Sequence, residues 1–115
     1  MKEDTVKMTL LFDFYGDLLT EKQRNCFDLY YNDDLSLFEI GEQLGITRQG
    51  VRGNIVNAKE LLLKYEEKTG IVGRFSEMQK QISDLESALR TLFDKNGFSG
   101  DEADGILNQL EKLKG

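Results

Sequence analysis

The 115-residue chain has no histidine, no proline and a single cysteine, Cys26. Without an imidazole, a cysteine or serine nucleophile lacks its usual base, and one thiol alone cannot build a tetrahedral zinc site. The sequence therefore predicts no enzyme, no catalytic residue, no metal and no cofactor. A lone cysteine forms no internal disulfide, which fits a reducing compartment. Its place beside Phe27 suits a small buried apolar side chain. No glycine-rich segment is followed by Lys-Ser or Lys-Thr, so nucleotide hydrolysis is not indicated. The N-terminus has no apolar stretch of signal-peptide type, and no run approaches the roughly 20 apolar residues of a membrane span. A soluble, cytoplasmic protein is expected. Positive charge is also scarce: 15 basic side chains stand against 21 acidic ones, a net charge of -6. Affinity for nucleic acid comes largely from basic groups displacing counterions, so an acidic chain starts at a disadvantage.

What is present is helical periodicity, with no strand-like alternation, and a set of capping signals. The first helix is expected from about Asp4 to Tyr15, with Val6, Leu10, Leu11 and Phe14 on one face and Gly16 as its stop. Thr20 with Gln23, Ser36 with Glu39, and Ser99 with Glu102 each have capping-box spacing and mark the second, third and sixth helices. The second should run to Tyr31 before the polar turn Asn32-Asp33-Asp34, the third from Leu37 to Leu44, and the fourth from Arg48 to about Lys68, ending at Gly70. The length suits one compact domain. The expected organisation is a helix-turn-helix domain over 1–70 with a long recognition helix. A C-terminal helical hairpin over 71–115 would pack on it as part of a single compact unit.

The segment Ser36 to Arg52 has helix-turn-helix spacing. Gly41 lets two helices approach, Gly45 supplies the turn, and Ile40, Leu44, Ile46, Val51 and Ile55 would share a small core. Thr47 caps the next helix, whose first exposed side chains, Arg48, Gln49 and Arg52, are of the types that reach phosphates and base edges. Asn54 is a further candidate, and Lys22, Arg24 and Lys59 are the other cations able to gather on a groove-facing surface. From Ile46 to Lys68 five basic residues face three acids, a net of +2. From Thr20 to Gly45 two basic residues face six acids, a net of -4. A shallow salt dependence follows, with about three to five phosphate contacts per protomer.

The fifth helix carries a sustained heptad, Phe75, Met78, Ile82, Leu85, Leu89 and Leu92, that asks for a partner along its length. Two readings stand. The fourth helix and an antiparallel sixth helix (Ala103, Ile106, Leu107, Leu110, Leu113) could cover it, or part of it is left as a face for a protein partner or a homodimer. Asp94-Lys95-Asn96-Gly97-Phe98-Ser99-Gly100 superficially suggests a calcium loop. Its glycine is at the fourth rather than the sixth position, and Gly105 stands where a bidentate glutamate is needed. A connection between helices explains it better.

Two resemblances rest on these residues. From Leu19 to Leu62, with Thr47-Arg48-Gln49-Gly50-Val51-Arg52 opening the recognition helix, the chain resembles the fourth region of bacterial sigma factors. It departs from that pattern at Gly53, where such helices usually carry a polar side chain. Over nearly its whole length the chain is similar to the YlxM-like family of small bacterial proteins, through Phe14-Tyr15-Gly16, Leu19-Thr20-Glu21-Lys22-Gln23, Arg48-Gln49-Gly50-Val51-Arg52 and Lys64-Tyr65-Glu66-Glu67-Lys68. The resemblances imply an all-α fold, a sigma region 4-like helix-turn-helix bundle with a C-terminal antiparallel helical pair. The second also implies a cytoplasmic protein tied, mainly by gene neighbourhood, to the signal recognition particle pathway in a regulatory role. Three functions remain open on the sequence. One is a regulatory or accessory factor contacting signal recognition particle RNA, its GTPase, or both. Another is a DNA-binding transcription regulator, and the third is a protein-interaction module without nucleic acid.

Overall fold

The computed structural model describes residues 4–114, and among these it is all-helical. Six α-helices occur in order: α1 (Thr5–Tyr15), α2 (Glu21–Tyr31), α3 (Leu37–Leu44), α4 (Arg48–Thr69), α5 (Ile71–Lys95) and α6 (Asp101–Leu113), with a 3-10 turn over Gly16–Leu18. Among the described residues no helix is long and apolar enough to cross a membrane. The chain divides into two compact units, the first ending at Val72 and the second starting at Gly73.

In the first unit the helix starts follow from local chemistry. Thr20 Oγ1 accepts from the Gln23 N–H at 3.2 Å while Gln23 Oε1 accepts from the Thr20 N–H at 3.0 Å, and Ser36 and Glu39 make the same reciprocal pair at 3.1 Å each way. Each box satisfies two of the amide donors a helix start leaves unpaired. The two stops use left-handed glycines, Gly45 (φ 70) and Gly70 (φ 63). α4 is the central strut, touching α1, α2 and α3. Its residues Val51, Ile55, Ala58 and Leu62 are wholly buried, as are Ile40 of α3 and Cys26 and Phe27 of α2. Phe27 stacks between Phe12 (4.7 Å) and Tyr31 (4.4 Å), which ties α1 to α2. At the far end Tyr15 Oη donates to Glu66 Oε1 at 2.6 Å, the same oxygen accepts from the Val72 N–H at 3.0 Å, and Thr69 Oγ1 also bonds the phenol.

Two local expectations need correction. Of the expected face, Leu11 is buried in α1 and Leu10 packs against the core, but Met8 and Tyr15 complete the buried side while Val6 (83%) and Phe14 are exposed. α1 is apolar nearly all round, so periodicity could not choose its face. Gly16 does end α1, as its C-cap at a right-handed φ of -56, and the backbone continues through the 3-10 turn to an extended Leu19. The Ser99–Glu102 box does not form. α6 starts one residue later, behind Gly100 (φ 99) with no side-chain cap. The Phe98 N–H donates to the Phe93 carbonyl at 2.8 Å and the two rings pack at 4.9 Å, which sets the turn before Ser99 can act. Acidic residues at positions 101, 102 and 104 supply the charge that favours this helix start.

The second unit is the α5–α6 hairpin. α6 folds back so that Ala103 and Leu107 line a hollow with Arg90 and Phe93, while Lys114 near its end reaches Glu86. Ala103 and Leu110 are buried, whereas the heptad of α5 is only partly covered: Phe75, Ile82 and Leu89 are half-buried and Met78, Leu85 and Leu92 are exposed. The Lys114 ammonium lies 3.2 Å from both Glu86 carboxylate oxygens. That hydrogen bond, working against partial burial, holds the Glu86 carboxyl below its ordinary range and the Lys114 ammonium above its own.

Candidate nucleic-acid interface

The N-terminal end of α4 is built by a close backbone approach. A Cβ added at Gly41 would stand 2.7 Å from the Ile46 carbonyl oxygen, so only glycine lets the turn cross α3 here. The Ile46 N–H donates to the Gly41 carbonyl at 3.0 Å, and Thr47 Oγ1 then caps α4 by accepting the Gly50 N–H at 3.0 Å. With Val51 and Ile55 buried, the helix rotation is fixed and Arg48, Gln49, Arg52 and Gly53 are turned out.

Arg48 and Arg52 are one turn apart, and Lys59 falls two turns further along that face, half-buried. The Arg48 guanidinium lies 5.8 Å from the centroid of the Phe38 ring, a contact of about 0.5–1 kcal/mol at an exposed site. Phe38 is 55% exposed and forms, with Ile46, Thr47, Arg48 and Glu42, an open groove of about 370 Å³. The sequence reading missed Phe38. The available signal was its position off the Leu37, Ile40, Leu44 line, which leaves a large aromatic outside the core. Asn54 is half-buried and its amide donates to the Gly50 carbonyl at 2.9 Å, within its own helix.

Lys22 and Arg24 stand on the first turns of α2. Their neighbour Gln23 shares a hollow of about 350 Å³ with Asn57, Glu60, Leu61 and Lys64, the middle of α4. Asn57 is nine residues from Arg48, about 13 Å along the helix, so the start of α2 at Gln23 meets a different stretch of α4 from the arginine pair. Arg24 also lies 3.9 Å from the fully exposed Asp17 carboxylate. Lys64, not among the sequence candidates, shares that hollow with Gln23. Gly53 leaves α4 bare, since a Cβ there would meet nothing within 4 Å. Glu42 and Glu60 place negative charge close to the cations on either side.

A profile of the family described as "Putative helix-turn-helix protein, YlxM / p13 like" matches residues 2–97. The chain is 44% identical over 110 residues to a UPF0122 protein of Desulforamulus reducens, covering 95% of this chain and 86% of the relative. It is 48% identical over 89 residues to one from Caldanaerobacter subterraneus subsp. tengcongensis, covering 77% and 76%, and 41% identical over 113 residues to one from Listeria welshimeri, covering 98% and 99%. With the helix-turn-helix geometry in place and matches running over nearly the full length, the chain belongs to the UPF0122, YlxM / p13-like family of helix-turn-helix proteins.

Proposed function

We propose that this protein is a non-enzymatic regulatory or accessory factor of the signal recognition particle pathway that binds nucleic acid through the start of α4. The observation that carries the reading is the exposed Arg48, Gln49 and Arg52 on the first turns of a capped helix held against α3 by Gly41. A capped helix start adds the positive end of its dipole to the two guanidinium charges, which suits phosphate. The pathway assignment and the choice of RNA rest on the resemblance to the YlxM-like family. Bare Gly53 weakens direct base readout, which favours phosphate and shape recognition over a sequence-specific duplex regulator. The GTPase of the particle is the proposed protein partner.

Fluorescence anisotropy against labelled signal recognition particle RNA and a duplex DNA of equal length, with the Arg48→Ala, Arg52→Ala double variant alongside, tests the reading. Preference for the RNA, lost in the variant, is expected. Preference for the duplex would replace the accessory reading with a transcription regulator, and binding to neither at low salt would leave the scaffold to protein contacts.

A further inference from the structure

We infer that the α5–α6 hairpin is a self-association surface whose occupant is a second copy of this chain, through Met78, Leu85 and Leu92 of α5 with Ile106 and Leu113 of α6. α5 has 25 residues and α6 has 13, so they span about 37 Å and 20 Å, and α6 is too short to cover the stripe along α5. The uncovered side chains are large and contiguous. Met78, Leu85 and Leu92 stand seven residues apart and are 50%, 50% and 53% exposed, while Ile106 and Leu113, also seven apart, are 42% and 61% exposed. An apolar hollow of about 260 Å³ bordered by Leu92, Phe93, Phe98 and Ile106 joins the two stripes on one side of the hairpin.

Together with half-buried Ile82 and Leu89 these residues expose on the order of 500 Å² of apolar surface, the upper range for a patch on a monomer. That is enough for the core of a two-fold interface of about 800 Å² per partner, with the remainder supplied by a polar rim. α5, which carries the seam, has Arg74, Lys80, Arg90 and Lys95 against Glu77, Asp84, Glu86 and Asp94, four minus four, whereas α6 has Asp101, Glu102, Asp104 and Glu111 against Lys112, so two copies avoid like-charge repulsion by pairing α5 against α5. The seam steps of three, four, three, four and three read the same in either direction, and two such hairpins with paired stripes close into a four-helix bundle. This holds whether or not the start of α4 binds nucleic acid.

The test is sedimentation equilibrium of the full chain at low micromolar to about 300 micromolar, a range chosen to span the affinities of standard-size interfaces. A mass of twice 13.2 kDa is expected. The Leu85→Glu, Leu92→Glu variant should raise the dimer dissociation constant at least ~100-fold, because each change puts a charge into a buried stripe in both copies. Val6→Glu, at an exposed apolar site in α1, should leave it unchanged. Should the double variant lose its helical circular dichroism, Leu85→Cys decides instead: native Cys26 is buried, so the new thiol is the accessible one, and oxidation should link two chains. A wild-type monomer throughout the range overturns the inference. So does a dimer that withstands a folded double variant, or one that Leu85→Cys fails to link.

Discussion

Two glycine-to-alanine substitutions of identical chemistry should change stability in opposite directions. Both Gly41 and Gly53 lie inside α-helices, where alanine is favoured over glycine by about 1 kcal/mol through backbone entropy and reduced exposure of the peptide. At Gly53 the added Cβ meets nothing within 4 Å, so the whole gain should appear. At Gly41 the Cβ would lie 2.7 Å from the Ile46 carbonyl oxygen, with Thr47 C at 3.6 Å and Arg48 N at 3.7 Å. The crowded atom belongs to backbone and cannot rotate away, so α3 and the turn must separate at a cost of about 3 kcal/mol, the upper range for overpacking. The balance for Gly41→Ala is a loss of about 2 kcal/mol, against a gain of about 1 kcal/mol for Gly53→Ala. For a unit of this size each 1 kcal/mol moves the melting temperature by about 4–8 °C, well within reach of thermal unfolding followed by circular dichroism. A Gly41→Ala protein as stable as wild type would refute the close approach of α3 to the turn.

Tyr15→Phe should lower stability by about 1–2 kcal/mol in urea denaturation, because it removes the hydroxyl that bonds Glu66 and Thr69 while leaving the buried ring in place; an unchanged midpoint would show that the node does not matter. Cys26 should react slowly with a thiol reagent in the native protein and rapidly in denaturant, since it is wholly buried and burial raises its pKa, with Lys22 opposing weakly. The Glu86–Lys114 pair should contribute to stability of the hairpin across a window bounded on both sides. Glu86 has a lowered pKa, so its share is present above the ordinary carboxyl range and lost as pH falls through the lowered value. Lys114 has a raised pKa, so its share is present below the ordinary ammonium range and lost as pH rises through the raised value. Glu86→Gln should flatten the acid limb of unfolding measured against pH, and an unaltered acid limb would contradict the pairing.

The legible parts of the fold were those settled by residues three or four apart. The boxes at Thr20 and Ser36, the cap at Thr47 and the stops at Gly45 and Gly70 each close within one turn, so their spacing alone located α2, α3 and α4. The core positions Val51 and Ile55 were equally readable because polar residues flank them. Ser99 had the same local spacing as the other boxes yet did not cap, because a contact between Phe93 and Phe98 set the turn first. α1 offered no contrast between faces, and its burial was decided by Tyr15 reaching Glu66, 51 residues away. At the start of α4 the sequence singled out Arg48, Gln49 and Arg52 as candidates, and all three are exposed there. It could not foresee that Gln23, between Lys22 and Arg24, shares a hollow with the middle of α4, or that Phe38 sits under Arg48, since both depend on how α2 and α3 pack.

The most direct test of nucleic-acid binding at the start of α4 is the slope of log affinity against log salt for wild type and for Arg48→Ala, Arg52→Ala on the same RNA. Three to five phosphate contacts correspond to a slope of about -2 to -3.5 on single-stranded RNA, and loss of two arginines should make it shallower by about 1.4. A double variant with the wild-type slope and affinity would place binding elsewhere on the protein and contradict the role given to these arginines.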